Sequence, residues 1–271
     1  MRCQFGMSGF CRAITLAEGV FAAGHLGELT QVVPFELVDA VLEETGAVQR
    51  RLRKLPSRVG VYFLLALALF PRLGYARVWG KLVAGLGGLA GLNVPVVSEK
   101  ALRDLRRRVG VAPLERLFQT LAGPVGQPPT PGVRYRRWRT VAFDGCKSIR
   151  VPDTDRNRDW FGRACYRQAW AGYPMVMLMT LVETGTRALI GAAFGTPAVG
   201  EVAYALRLLD LLRPDMLVLA DRGFDTDGFL REVAATGAQL LVRVRHIRRP
   251  PVLAQLSDGS FLSVLAGVKV P

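Results

Sequence analysis

The feature that most constrains this chain is a decapeptide near its middle, Gly123-Pro124-Val125-Gly126-Gln127-Pro128-Pro129-Thr130-Pro131-Gly132. Its four prolines and three glycines forbid helix and disfavour strand. On either side of it the hydrophobic pattern has a different period. Before it, apolar residues recur at helical spacing; after it, short apolar runs are broken by turn residues, as in strands. A length of 271 residues suits about two domains. The expected organisation is a helical domain over 1–122, a linker over 123–133 and a strand-bearing domain from 134 onward.

In the first half, Thr15 with Glu18 at the capping-box position predicts a helix running toward Leu29. Pro34 opens a second, with Leu37, Val38, Val41 and Leu42 on one face and Gly46 as its stop. Val59 to Phe70 is apolar nearly all round, which places it at the centre of its domain. Tyr75 to Leu86 follows, then a helix over Glu99 to Val109 capped by Ser98 and stopped by Gly110, then one opened by Pro113. The Glu99–Val109 segment is the most basic. Leu102, Leu105 and Val109 form its apolar stripe, and Arg103, Arg106 and Arg107 share the outer arc. Such an arc suits either a recognition helix in a DNA groove or an ordinary solvated face.

In the second half, Arg134 to Asp144 predicts a first strand, Gly145 a turn and Lys147 to Val151 a return strand. Tyr173 to Glu183 and Arg187 to Phe194 form the next pair, across the turn Thr184-Gly185-Thr186. A helix over Val199 to Leu212, a buried strand over Met216 to Ala220, a helix over Asp227 to Thr236 and a strand over Gln239 to Val244 complete the series. The order is three or four strands, helix, strand, helix, strand, which is the β-β-β-α-β-α-β order of the ribonuclease H architecture. The early strands pair as antiparallel meanders and the later ones in parallel, through helical crossovers.

Charge narrows the function classes. The chain carries 36 Lys and Arg against 22 Asp and Glu, a net +14. The excess divides evenly, +7 on residues 1–132 and +7 on residues 133–271, so it is not a detachable tail. A polyanionic partner is expected. The longest apolar run, Val59 to Phe70, is too short to cross a bilayer, which needs about 20 residues. With no apolar signal segment before Glu18, a soluble, cytoplasmic protein is expected. The four cysteines, Cys3, Cys11, Cys146 and Cys165, lack zinc-ligand spacing. Neither His25 nor His246 sits in a hydrolase motif.

Two aspartates stand out. Asp144 is expected to end the first strand of the second half, and Asp221 follows the strand Met216 to Ala220. If those strands are parallel neighbours, both carboxylates leave the same sheet edge, where α/β folds place their ligands. Paired carboxylates are hard oxygen donors for Mg²⁺ or Mn²⁺, and two-metal sites cleave phosphodiesters. Each aspartate is also followed within two residues by glycine, a turn signal. Spacing alone leaves the turn role and the metal role both open.

The sequences around the pair carry a resemblance. Phe143-Asp144-Gly145 leads to Val151-Pro152-Asp153-Thr154-Asp155-Arg156-Asn157, then Phe161-Gly162, Tyr173-Pro174, Leu181-Val182-Glu183, Phe194-Gly195, Glu201 and Leu219-Ala220-Asp221-Arg222-Gly223-Phe224. This series resembles the insertion-element-4 family of DDE transposases, and the likeness runs through the whole chain. It implies an α+β multidomain fold: an all-α N-terminal DNA-binding domain, then a ribonuclease-H-like α/β catalytic domain with a mixed sheet over 134–246, incomplete at the C-terminus, and the start of a β-rich insertion over 247–271. It implies that Asp144 and Asp221 are the first two catalytic acids and hold Mg²⁺ or Mn²⁺. Lys147, Arg150 and Arg222 are candidate phosphate contacts, beside Arg103, Arg106 and Arg107 of the helical domain. Asp153 is expected to fix its own turn. The implied partners are duplex DNA, both element ends and target, and a second copy of the chain in a transposition complex.

The family's third carboxylate, a Glu in a Tyr-x2-Arg-x3-Glu-x6-Lys pattern, has no counterpart here. Glu201 or Glu183 would have to substitute. Two outcomes follow: a transposase, as an inactive or partial copy, or a truncated DNA-binding product that inhibits transposition without chemistry. A nuclease or regulator unrelated to transposition is the remote third.

Overall fold

A computed structural model describes residues 25–51, 53–84, 86, 94, 96–162, 165–166, 169–170, 172–265 and 267–270. The chain divides into two compact units, Met1–Leu121 and Ala122–Pro271. Among the described residues no helix is long and apolar enough to cross a membrane.

The first unit is helical: α1 (Leu26–Val32), α2 (Phe35–Glu44), α3 (Ser57–Leu69), α4 (Tyr75–Leu82), α5 (Glu99–Val109) and α6 (Ala112–Leu121). Starts and stops have local causes. Ser98 caps α5 by accepting from the Ala101 amide, and Gly110 ends it with φ +74°. Beyond the C-terminus of α2, Gly46 takes φ +64° and the Ala47 amide reaches back 2.8 Å to the Leu42 carbonyl, a Schellman closure. Two segments differ from expectation. Instead of one helix from Thr15 to Leu29, α1 begins at Leu26, because His25 is extended and caps it through Nδ1, which accepts from the Gly27 amide at 3.0 Å. Thr15 and Glu18 lie outside the described residues. Likewise α4 stops at Leu82 rather than reaching Leu86.

Helix α3 is the hub, packed against α2, α4 and α5. Its Tyr62 is fully buried and donates to the Val33 carbonyl at 2.6 Å. Burial pushes its phenol up to about 12. Gly60 lets α5 approach closely, since a β-carbon there would lie 2.6 Å from Val109 Cγ2. Leu102, Leu105 and Val109 fill the core as their spacing required.

The second unit is built on one mixed sheet. In chain order it has β1 (Arg134–Tyr135), β2 (Trp138–Arg150), α7 (Asp155–Phe161), β3 (Cys165–Tyr166), β4 (Ala169–Trp170), β5 (Met175–Glu183), β6 (Leu189–Gly195), α8 (Glu201–Leu206), β7 (Met216–Ala220), α9 (Asp227–Ala235) and β8 (Gln239–Val242). The strand order is β6-β5-β2-β7-β8, with β1 paired to β2. Strands β5 and β6 run antiparallel to their neighbours, whereas β2, β7 and β8 are mutually parallel. This is the ribonuclease-H-like arrangement. A small antiparallel sheet of β9 (Ala254–Gln255), β10 (Phe261–Leu265) and β11 (Val268–Val270) follows. The main core joins Val141 and Phe143 of β2, Met177 and Met179 of β5, Tyr204 of α8 and Phe229 of α9. Both helices therefore lie on the Phe143 face of the sheet.

Four findings depart from the sequence-based expectation. First, β2 does not end at Asp144; it runs on to Arg150, because β5 pairs with it from Val141↔Glu183 to Arg150↔Met175. Gly145 is a strand residue, and a shift in register between Cys146 and Ile149 takes the place of the expected turn. Second, the helix expected over Val199 to Leu212 is divided into a 3-10 turn (Pro197–Val199), α8 and a second 3-10 turn (Leu209–Leu211). The left-handed Gly200, φ +83°, separates the first two. Third, α7 is an additional helix, which Thr154 caps and Gly162 closes at φ +66°. Fourth, the proline-rich segment packs on the second unit: the Gly123 amide donates to the Leu189 carbonyl, and Val133 is fully buried.

Candidate active site

The register of β2 and β7 relates the two aspartates. Parallel pairing of β2 with β7 runs from Arg139↔Met216 to Ala142↔Leu219. Continued by two residues, it sets Asp144 level with Asp221 on the neighbouring strand. Residues at one level of parallel strands leave the same face of the sheet, and neighbouring strands lie about 4.8 Å apart. Both aspartates are exposed. The Asp144 carbonyl accepts from the Thr180 hydroxyl on β5 at 3.1 Å, which steadies the strand at this point. Asp221 follows β7 in extended conformation and accepts the Gly223 amide at 2.7 Å through Oδ1, folding the chain into a 3-10 turn over Arg222–Phe224.

The residues beside the pair fix it from below. Phe143 precedes Asp144, and Phe224 closes the turn after Asp221. Their rings lie 5.9 Å apart, and both meet Phe229 of α9, at 5.7 and 5.1 Å. This buried trio ties the middle of β2 and the end of β7 to one helix.

The basic residues predicted here are exposed. Lys147 pairs with Glu201 at 3.4 Å. The Arg150 guanidinium stands 5.8 Å over the Tyr173 ring. Arg222 lies in the turn itself. Asp153 does not simply close its own turn: it binds Arg158 through both oxygens, at 2.6 and 2.7 Å. In the other unit, Arg103 and Arg107 make loose pairs within α5, with Glu99 at 3.9 Å and Asp104 at 3.7 Å, and Arg106 donates to the Tyr75 hydroxyl at 2.6 Å. Cys3 and Cys11 lie outside the described residues; Cys146 is a half-buried free thiol near Ser148.

The first unit and most of the second match known families. Residues 23–119 match the family described as Insertion element 4 transposase N-terminal, and residues 139–256 match the Transposase DDE domain. The chain belongs to the insertion-element-4 family of DDE transposases. It is 29% identical over 202 residues to the transposase InsG for insertion sequence element IS4 of Escherichia coli (strain K12), covering 74% of this chain and 44% of that protein. It is 25% identical over 199 residues to the "Putative transposase InsZ" of the same organism, covering 73% and 64%. The chain spans about half the length of the curated relatives it matches.

In this transposase-family sheet neither acid suggested as a substitute third ligand joins the pair. Glu183 is fully buried at the far end of β5, opposite Val141. Burial pushes its carboxyl up, but the Thr186 hydroxyl, the Gly126 amide at 2.8 Å and the Arg139 guanidinium outweigh that and hold it below the ordinary carboxylate range. Glu201 lies over Gly145, where an added β-carbon would meet its Oε1 at 3.1 Å. Side chains alternate along a strand, so Glu201 occupies the face opposite to Asp144. Among the described residues no three His, Cys, Asp or Glu converge as a metal group.

Sequence reasoning missed Asp225, Asp227 and Arg248. Asp225 is buried within the Asp221 turn, 2.7 Å from Arg248 Nε, and Arg248 reaches Asp227 at 2.8 Å. The one signal that could have found them is an aspartate four residues after Asp221, following a phenylalanine.

Proposed function

We propose that this chain provides the DNA-binding and acid-bearing part of an insertion-sequence transposase, with Asp144 and Asp221 as ligands of a divalent cation, Mg²⁺ or Mn²⁺. The observation that supports the reading is the parallel β2–β7 register, Arg139↔Met216 to Ala142↔Leu219, which continued by two residues would bring Asp144 level with Asp221, both exposed. The donor set fits such an ion: oxygen-only, anionic and solvent-accessible. A bound divalent cation would supply Lewis-acid stabilisation of the oxygens around a scissile phosphorus. Asp144 and Asp221 would hold it, and the Phe143–Phe224–Phe229 trio keeps the backbone beside them from drifting apart. Lys147, Arg150 and Arg222 follow the two acids closely in sequence and bind the phosphates of an element end and of its target. Arg103, Arg106 and Arg107 give the helical unit a second, sequence-separate hold on duplex DNA.

A second reading is binding without cleavage. It is favoured by the engagement of Glu183 with Arg139 and by the position of Glu201 on the opposite face. Two acids hold an ion less firmly than three, and misplacement by about an ångström can cost about a hundredfold in rate. We therefore expect the 271-residue chain to bind duplexes carrying the element terminus and to nick them poorly. The test is an end-cleavage assay with Mg²⁺ or Mn²⁺. Vigorous nicking abolished by Asp144→Ala would establish cleavage and remove the second reading. Absence of any DNA binding at low salt would remove both.

A further inference from the structure

The turn that carries Asp221 is held from a second direction by residues that the proposed function does not use. Asp225 closes that turn and is 3% exposed. Burying a carboxylate is unfavourable unless it is paired and hydrogen-bonded. Here both oxygens are engaged by one segment, the stretch leaving β8. Oδ2 accepts the Arg245 amide at 2.7 Å, whereas Oδ1 makes no hydrogen bond and is held by charge alone, 2.7 Å from Arg248 Nε. Arg248 spans onward to Asp227 at the start of α9, at 2.8 Å. Arg245 adds a return bond, its Nε donating to the Arg222 carbonyl at 3.3 Å. The Asp227 carboxylate, opposed by burial and aided by Asp225, raises the Arg248 guanidinium above its ordinary value, so the cation persists at any working pH.

These bonds enclose the turn 221–227. On one side Phe224 sits in the aromatic trio; on the other, Asp225 ties the turn to 245–248. Asp221 lies in the turn with little freedom left, since its own Oδ1 already anchors the Gly223 amide. We propose that Asp225, through Arg248 and Arg245, is a positioning residue for the metal-binding carboxylate of Asp221. The proposal rests on the reading of Asp144 and Asp221 as metal ligands. The buried charged pair fixes the backbone from which the exposed acid projects. Mutating a group that orients a metal ligand typically costs about 10–100-fold in metal affinity or activity.

The experiment is Mn²⁺ binding to the 271-residue chain, followed by electron paramagnetic resonance of the free ion, with thermal unfolding measured on the same samples. Asp225→Asn keeps an acceptor for the Arg245 amide and removes the charge facing Arg248. It should weaken Mn²⁺ binding by about tenfold. Arg248→Lys, which keeps a cation but loses the planar fork, should weaken it in the same direction. The exposed-side variant Asp227→Asn should have a smaller effect. If Asp225→Asn does not fold, the Arg248→Lys variant decides. Folded variants that bind Mn²⁺ like the parent, whatever their melting temperature, overturn the proposal and leave a purely structural ion pair. A parent chain whose Mn²⁺ binding is absent, or unchanged by Asp144→Ala, overturns the metal reading and this proposal together. Binding lost in Asp144→Ala and retained in Asp225→Asn overturns this proposal alone.

Discussion

Single residues in this molecule are constrained mainly by what surrounds them on the sheet. Glu183 has no exposure and answers three donors. Glu183→Gln leaves the Arg139 guanidinium without its anion, and breaking such a buried pair costs about 3–5 kcal/mol. Calorimetry of the variant should show the second unit melting earlier. The pH dependence has a definite sign. The folded carboxyl lies below its unfolded value, so its stabilisation is complete above the ordinary glutamate pKa and disappears as pH falls through the lower, folded one. The parent should therefore lose stability on acidification over that window, and Glu183→Gln should lose less. Gly185 is held as tightly for steric reasons, since a β-carbon would lie 2.5 Å from the Gly132 carbonyl carbon and from the Val133 nitrogen. The neighbours are backbone and cannot swing aside, so Gly185→Ala should destabilise by about 1–3 kcal/mol. A melting temperature equal to the parent's would mean that the proline-rich segment is not packed there.

At the level of elements, legibility followed locality. Helix α5 was readable to the residue because its signals are all within the segment: Ser98 before it, a three-four apolar stripe, Gly110 after it. Ser98→Ala should cost about 1 kcal/mol, measurable by thermal denaturation. The same helix carries Arg103, Arg106 and Arg107; the pairs that Arg103 and Arg107 make within it are long and exposed, hence weak. Replacing the three arginines by Ala should flatten the dependence of log K on log salt for duplex binding by about 0.9 for each phosphate they neutralise. An unchanged slope would reduce the arc to a solvated surface. Strand β2 was misread because its continuation depends on a partner elsewhere. Nothing in Asp144-Gly145 distinguishes a turn from a strand residue crowded by Met177 and Glu201; β5 decides it. Helix Val199 to Leu212 failed on Gly200, whose left-handed backbone is a fact of conformation and not of hydrophobic period. Asp221 was legible as a strand-end aspartate; Asp144 was singled out by the same pattern but lies inside β2. The Asp225–Arg248 clasp was not legible, since it joins two loops distant in sequence with no periodicity to announce it.

In the whole molecule, strand β2 is the hinge of the topology: antiparallel to β5 on one side, parallel to β7 on the other. The two pairings differ in how soon a newly made chain can form them. Strands β5 and β6 meet across a short turn, and β2 lies one excursion away. Strand β7 must return past α8 from far along the sequence, which carries a larger loop-closure cost and slows formation. Asp144 can thus be in place on a half-built sheet while Asp221 is still unattached. The proposed metal-binding pair is then among the last features to exist, a property of the finished fold alone. A ligand that recognises only the finished fold stabilises it by mass action and leaves earlier ensembles untouched. Saturating Mn²⁺ should accordingly slow unfolding and leave the refolding rate nearly unchanged. Stopped-flow traces in both directions, for the parent and for Asp144→Ala, would separate the two limbs.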